Sequence, residues 1–303
     1  QLENHNISAL VTDNHSWPVY SVRCGKKRRE ENNLKLWLCK TKDLLPSYGI
    51  PLLADLSEKE IPNTAVYTND FVELMGWIVT EGTYNNAHPT ANYISISQST
   101  KKHPKQSKRI EQLLTRICPD HWTDIHKDQH NKRWSFGQPL SAKIKQMFPD
   151  KRLSAEFIHQ LTQPQLRLLL DTLIDGDGTR NGKRTHYFGT DKILIDQVQM
   201  VGILLGLSPR LTVAYRPPYQ DLYRLTFKKY KATEPRFMSQ GKKEYSGVIW
   251  CPSTINETFL ARRNGKIYFT GNSRSRPPGG VRAGIALAYL REGDDSRIGP
   301  VVR

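Results

Sequence analysis

The sequence predicts an α+β protein in which a β-rich domain, delivered in two pieces, brackets an inserted α/β domain that is itself internally duplicated. Three observations lead there. Apolar and polar residues alternate near both ends of the chain, the period changes to helical spacing in the middle, and within that middle the order helix, strands, helix, strands occurs twice. With 303 residues and a mass of 34.8 kDa, the chain can build about two cores.

The elements follow in order. The stretch 9–22 alternates around Thr12, His15 and Trp17, with a turn at Asp13-Asn14, and 34–38 is a second short strand. From Asn69 onward Phe71, Leu74, Met75 and Ile78 fall at helical spacing, and Gly82 acts as a stop. Tyr93-Ile94-Ser95-Ile96-Ser97 alternates as a strand, and Ile110, Leu113, Leu114 and Ile117 mark a basic amphipathic helix ending before Pro119. The second set begins with a helix over 165–174 that closes in a Gly-Asp-Gly turn. A strand at Tyr187-Phe188, a helix over 193–205 and a hairpin from 211–215 and 222–227 complete it. After the polar, basic connector 228–247 the β pattern returns at 248–251 and 266–269. The expected boundaries are 1–66 and 236–272 for the β domain, 67–235 for the insertion and 273–303 for a separate C-terminal segment.

Charge narrows the partner. The chain has 45 Lys and Arg against 29 Asp and Glu, a net charge of +16, which favours a polyanion, nucleic acid first. The charge is clustered, at Lys101, Lys102, Lys105 and Lys108 and again at Lys228 and Lys229, and these are the candidate phosphate contacts. Cys24, Cys39, Cys118 and Cys251 are far apart with no CxxC pair, which argues against a disulfide framework or a zinc site and fits a reducing cytoplasm. No apolar run approaches the roughly 20 residues of a membrane span, and the first residues do not read as a signal peptide.

Two segments carry chemistry. Leu74-Met75-Gly76-Trp77-Ile78-Val79-Thr80-Glu81-Gly82 and Leu170-Asp171-Thr172-Leu173-Ile174-Asp175-Gly176-Asp177-Gly178 are apolar helices that each present a carboxylate just before a glycine. A carboxylate there opposes the negative end of the helix dipole and gains nothing locally, so a divalent cation supplies a reason for its presence. If the helices pack side by side, Glu81 and Asp177 meet at their common end. Gly76 suits such packing, and Thr172 is bulkier at the matching place.

These segments resemble the two motifs of a single-chain LAGLIDADG homing endonuclease, with Glu81 and Asp177 lying 96 residues apart. The resemblance implies two αββαββα halves that lay antiparallel sheets in the DNA major groove, Mg²⁺ held by Glu81 and Asp177, and a double-stranded DNA target in the intein-less host gene. A non-cleaving DNA-binding module or maturase of the same fold is the competing reading.

The flanking β segments resemble the Hint splicing domain of inteins. Thr12-Asp13-Asn14-His15 is similar to the T-x-x-H of block B, 248–260 to block F, and Tyr268-Phe269-Thr270-Gly271-Asn272-Ser273 to block G. The resemblance implies that Thr12 and His15 polarise the N-terminal scissile amide, that Asn272 cyclises, and that Ser273 is the acceptor nucleophile and first residue of the C-extein. Trp17, Cys251 and Thr270 together resemble the Trp-Cys-Thr signature of class 3 inteins, common among phage genes, in which Cys251 would start the reaction. Gly271 and Glu257 stand where the family has histidines. Because Thr12 lies so near the first residue, block A is expected to be missing, as in the C-terminal piece of a split intein partnered by an N-terminal intein fragment or in a fragmentary gene, and this chain alone is not expected to splice. A first-residue nucleophile therefore stays open beside Cys251.

Overall fold

The computed structural model describes residues 1–22, 36–53, 61–85, 92–125, 130–182, 184–228, 232–246 and 257–271. The chain divides into two compact units, one drawn from 1–60, 206–211 and 227–303, the other from 61–205 and 212–226. The first unit opens with five short strands, β1 (Leu2–Glu3), β2 (Ser8–Ala9), β3 (Ser16–Ser21), β4 (Trp37–Lys40) and β5 (Tyr48–Pro51).

The second unit repeats one pattern. Its first half runs α1 (Asn69–Glu81), β6 (Gly82–Asn85), β7 (Tyr93–Ser99), α2 (Pro104–Ile117), β8 (Trp122–Ile125), β9 (Asn131–Phe136) and α3 (Leu140–Met147). After the short α4 (Ala155–His159), the second half runs α5 (Gln163–Asp177), β10 (Gly178–Asn181), β11 (Arg184–Gly189), α6 (Lys192–Leu204), β12 (Arg210–Ala214) and β13 (Leu222–Phe227). The two sheets have the same topology, β6-β7-β9-β8 and β10-β11-β13-β12. The duplication expected from the sequence is therefore present strand by strand.

Local chemistry sets the helix ends. The Thr68 hydroxyl accepts from Phe71 N at 3.2 Å at the start of α1, and the Gln165 side chain accepts from Thr162 N at 3.2 Å at the start of α5. Gln165 Nε2 also donates to Tyr67 O at 2.6 Å and to Asn69 Oδ1 at 3.2 Å, which pins the beginnings of the two helices together. Their buried faces, Val72, Leu74, Met75, Ile78 and Val79 on α1 and Leu166, Leu169, Leu170, Leu173 and Ile174 on α5, form the centre of the unit.

The first unit is completed by β14 (Ala232–Thr233), β15 (Ser239–Gln240), β16 (Thr258–Arg263) and β17 (Lys266–Gly271). Its sheets have the orders β15-β1-β2, β14-β5-β3-β4 and β16-β17, around a core of Leu2, Ile7, Ala9, Trp17, Val19, Ile50, Leu52, Met238 and Tyr268. The division between units falls at 227, earlier than the expected 235, because Ala232 and Thr233 pair with Pro51 and Ile50. The strand expected at 248–251 and the segment 273–303 lie outside the described residues. Among the described residues, no helix is long and apolar enough to cross a membrane.

Candidate active site and nucleic-acid face

The seam between α1 and α5 is built from a glycine against a threonine, twice. A Cβ added at Gly76 would lie 2.7 Å from Thr172 Cγ2, and one added at Gly176 would lie 2.6 Å from Thr80 Cβ. Counting back from the glycine that follows each helix, Gly76 and Thr172 hold equivalent positions, as do Thr80 and Gly176. Each helix therefore supplies one gap and one filler. The bulk of Thr172 is thereby accounted for, because its methyl occupies the space that Gly76 leaves open.

A cation fastens the same seam from α2. Arg109 Nε lies 2.6 Å from Glu73 Oε1 on α1, and its Nη1 lies 2.7 Å from Asp175 Oδ2 on α5. Nη2 donates to Thr172 Oγ1 at 3.0 Å, and the guanidinium stacks over Trp77 with 5.5 Å to the ring centroid. One planar fork thus ties both helices along the seam.

Glu81 and Asp177 are the last residues of α1 and α5. Burial pushes the Glu81 carboxyl up to about 7, the negative charge of Asp177 adds to the rise, and the Gln98 hydrogen bond and the Lys151 ammonium oppose it. Burial raises Asp177 to about 6, with Lys151 opposing. More than a third of the Asp177 surface remains open to solvent, so screening moderates the effect there, and Glu81 is the more enclosed of the two. Gln98 Nε2 donates to Glu81 Oε1 at 3.0 Å, and Lys151 Nζ donates to Gly82 O at 2.9 Å.

Gln98 and Lys151 were not singled out from the sequence. Gln98 carried a signal: it continues the helix-facing register of Ile94 and Ile96, and an amide on an apolar face calls for a partner. Lys151 carried none, since it reaches the site from the loop before α4 with a left-handed φ of 56°. No group of three or more His, Cys, Asp or Glu suited to a metal occurs among the described residues. Glu81 and Asp177 would be a two-carboxylate site, the kind Mg²⁺ accepts when water and substrate phosphate complete its shell.

The sheet faces turned away from the helices are polar. In the first half, cross-strand register places Thr83, Ser95, Ser135 and Trp122 on one face, with Ser97, Arg133 and Asp124 beside them. Ile94, Ile96 and Trp134 are buried on the other. In the second half Thr179 and His186 share the corresponding face, joined by Thr226, whose Oγ1 lies 3.0 Å from His186 Nδ1, and by Arg224, whose Nε donates to Thr212 Oγ1 at 3.2 Å.

The lysines are distributed differently from these faces. Lys101 and Lys102 are exposed in the turn between β7 and α2, and Lys105 and Lys108 are exposed on α2. That helix packs on the Trp134 side, where Glu111 accepts from Trp134 Nε1 and Lys132 Nζ. Lys105 and Lys108 are thus across the sheet from its polar face. Lys228 belongs to the first unit, where its carbonyl accepts from Ser208 N at 2.7 Å, and Lys229 lies outside the described residues.

In the first unit, β3 and β17 bring two other candidate residues together. His15 Nε2 lies 2.6 Å from Thr270 Oγ1, a contact between residues 255 positions apart. Burial holds the His15 imidazole down at about 4, so it is neutral at pH 7. Trp17 packs edge-on against His15 with centroids 5.2 Å apart, and its Nε1 donates to Thr41 Oγ1 at 2.9 Å. Thr12 is exposed and joins the group through its backbone, accepting from His15 N at 3.1 Å. A Cβ at Gly271 would come within 2.6 Å of Ser16 O, so the strands approach too closely there for any side chain. Cys251, Asn272 and Ser273 lie outside the described residues.

No family model matches the sequence. The chain is 24% identical over 255 residues to the DNA-directed RNA polymerase subunit beta C-terminal section of Stigeoclonium helveticum, covering 67% of this chain and 23% of that protein. It spans about a quarter of the length of that curated relative. Among solved structures, mesophilic variants of the homing endonuclease I-DmoI are similar with a TM-score of 0.40 at 16% identity, over 53% of this chain and 88% of theirs. I-DmoI in complex with DNA and Mn gives 0.40 at 16% over 53% and 89%. The homing endonuclease I-WcaI bound to its DNA recognition sequence gives 0.34 at 8% over 54% and 77%.

Proposed function

We propose that the second unit is a Mg²⁺-dependent, site-specific double-strand DNA endonuclease of the LAGLIDADG type. The observation that carries this reading is the pair Glu81 and Asp177, ending two helices that pack glycine against threonine, with both carboxyls raised and the charge of one weighing on the other. Holding two carboxylates where they repel has a cost that a hard cation removes, and each leads directly into the first strand of a sheet with a polar free face.

The roles follow from the geometry. Glu81 and Asp177 would hold the metal, and Gln98 fixes one Glu81 oxygen so that the other is directed. The Lys151 ammonium favours the ionised forms that a cation needs and adds positive charge beside an incoming phosphate. When bound, Mg²⁺ activates water and stabilises the leaving oxygen of a phosphodiester. The polar sheet faces supply hydroxyl, amide and guanidinium groups for base edges. The test is cleavage of a plasmid carrying the uninterrupted host gene. Wild type should cut it with Mg²⁺, while Glu81→Gln and Asp177→Asn should lose on the order of a hundredfold or more of the rate and keep duplex binding. Either variant cutting at the wild-type rate would remove the pair from catalysis, and specific binding without cleavage by wild type would favour the maturase-like reading.

The His15–Thr270 contact favours a second activity, intein-type splicing, for the first unit. A buried neutral imidazole can accept a proton, and here it sits against the hydroxyl two residues before Asn272. Under this reading Thr12 and His15 polarise the upstream scissile amide, Trp17 and Thr270 shape the site, Cys251 attacks, Ser273 accepts the acyl group and Asn272 releases it by cyclising. Co-expression with an N-terminal intein fragment bearing a short extein should give spliced product by mass spectrometry, and Cys251→Ala should stop upstream cleavage. Full splicing by the Cys251→Ala pair would assign the first attack to another residue.

A further inference from the structure

The two sheets of the second unit share a topology, and their free faces differ in chemistry. Gly82 pairs with Ile96 and Gly178 with Tyr187, which sets Tyr93 equivalent to Arg184 and Ser95 equivalent to His186. The contacts Ser95–Ser135 and His186–Thr226 then make Arg133 the counterpart of Arg224. Directly opposite Arg133 stands Asp124, an acidic residue on the neighbouring strand. Arg224 is placed against the neutral Thr212 instead. The free face of the second sheet carries Thr179, Asn181, Arg184, His186, Arg224 and Thr226, with no Asp or Glu on its described strands. The first face therefore carries hydroxyls, amides and the Tyr93–Trp122 aromatic pair, with its arginine opposite an acid, and the second presents two exposed arginines with no acid on its described strands.

A guanidinium in a major groove finds its matching acceptor pair on guanine, at O6 and N7, whereas serine and threonine hydroxyls bond to several bases with little discrimination. Resting on the endonuclease reading, we infer that Arg184 and Arg224 are specificity-determining residues that each read a guanine, so that the target is asymmetric, with a guanine-dependent half under the second sheet and a tolerant half under the first. The arrangement also concentrates discrimination in the second half, because an arginine with no acid opposite it gives up no charged partner on meeting a base, only, for Arg224, the bond to the Thr212 hydroxyl.

Selection from a randomised duplex library by the full chain without divalent metal tests this, since DNA is then bound and not cut. Two positions in one half-site should be dominated by guanine. Arg184→Ala should relax one of them and Arg224→Ala the other, each by about tenfold in discrimination against the wrong base, while Arg133→Ala leaves both intact. Arg184→Gln should shift its position toward adenine, a gain that a misfolded variant cannot produce. Enriched duplexes with no guanine-dominated position, or guanines indifferent to both alanine variants, would overturn the inference and leave the endonuclease reading standing. Failure to enrich any duplex would overturn both.

Discussion

The two halves of the second unit were built on one plan and have kept different parts of it. What they share lies at the helix seam and at the start of each sheet: Glu81-Gly82-Thr83-Tyr84-Asn85 is matched by Asp177-Gly178-Thr179-Arg180-Asn181, in the same structural positions. What they do not share lies on the free sheet faces, where Tyr93 and Ser95 are replaced by Arg184 and His186. Packing constrains the first set, because both helices must fit each other, and a change on one side requires a compensating one across the seam. Gly76 against Thr172 and Thr80 against Gly176 are such compensated pairs. On the sheet faces the exposed Arg184 meets no seam of that kind, and Ser95 and His186 answer only to a hydroxyl on the next strand.

The largest effect expected from this comparison is on pH dependence, because the halves contribute carboxylates with separate ionisations, Asp177 at about 6 and Glu81 at about 7. A cation needs both ionised. At limiting Mg²⁺ the cleavage rate should fall as pH drops from 8, approaching tenfold per unit below about 7 and more steeply below about 6. Without metal the linkage has the opposite sign. Both groups bind protons more tightly folded than unfolded, so the native state should gain stability as pH falls through 7 and 6 toward the unfolded carboxylate range. Initial rates and urea midpoints across pH 5 to 8 measure the two arms. A rate that stays flat to pH 5 would show that the halves do not act as a coupled pair.

A smaller effect tests the seam itself. Gly76→Ala and Gly176→Ala each force a methyl into an occupied space and should cost about 1–3 kcal/mol. Thr172→Gly, which removes the Cβ that an alanine would keep 2.8 Å from the new methyl, should relieve the first and Thr80→Gly the second, whereas the crossed combinations should not. Urea denaturation of the four double variants distinguishes complementary pairs from a generally crowded interface, in which every combination would rescue alike.

Much of this arrangement could be read in the sequence, for reasons that also explain what could not. Helices α1, α2, α5 and α6 announce themselves by apolar spacing, and β7 by alternation. The sequence does not mark β8, which is exposed along its whole length, Trp122 and Ile125 included, and in β9 burial is confined to the run Trp134-Ser135-Phe136, too short to show a period. Strands β6 and β10 were hidden behind the glycines read as helix stops. The chain does stop there, but it continues at once in extended form, with Gly82 at φ −85° and ψ 156°. Of the site, the carboxylates were legible because a helix-terminal acid has no local benefit. Arg109 and Lys151 were not, because their roles depend on which loop or helix folds back onto the seam, and spacing along the chain carries no record of that.

The smallest effect concerns the one cluster of the first half that charge alone singled out. Lys101 and Lys102 extend from the turn that follows Ser99, and the Ser99 hydroxyl accepts from Lys102 N at 3.2 Å, so the turn is fixed to the end of β7. Ser99 lies in register with Asn131, on the free face that carries Ser95 and Ser97. These two lysines are therefore at the rim of the face that would meet DNA, whereas Lys105 and Lys108 ride on the helix behind it. Replacing Lys101 and Lys102 with alanine should weaken duplex binding modestly and lower the slope of log affinity against log salt by about 0.9 for each phosphate no longer neutralised. The same change at Lys105 and Lys108 should leave the slope unaltered. Fluorescence anisotropy across a salt titration measures both. Equal slopes for the two double variants would mean that the rim of the first sheet contributes no more than its back, and that the first half meets DNA in another orientation.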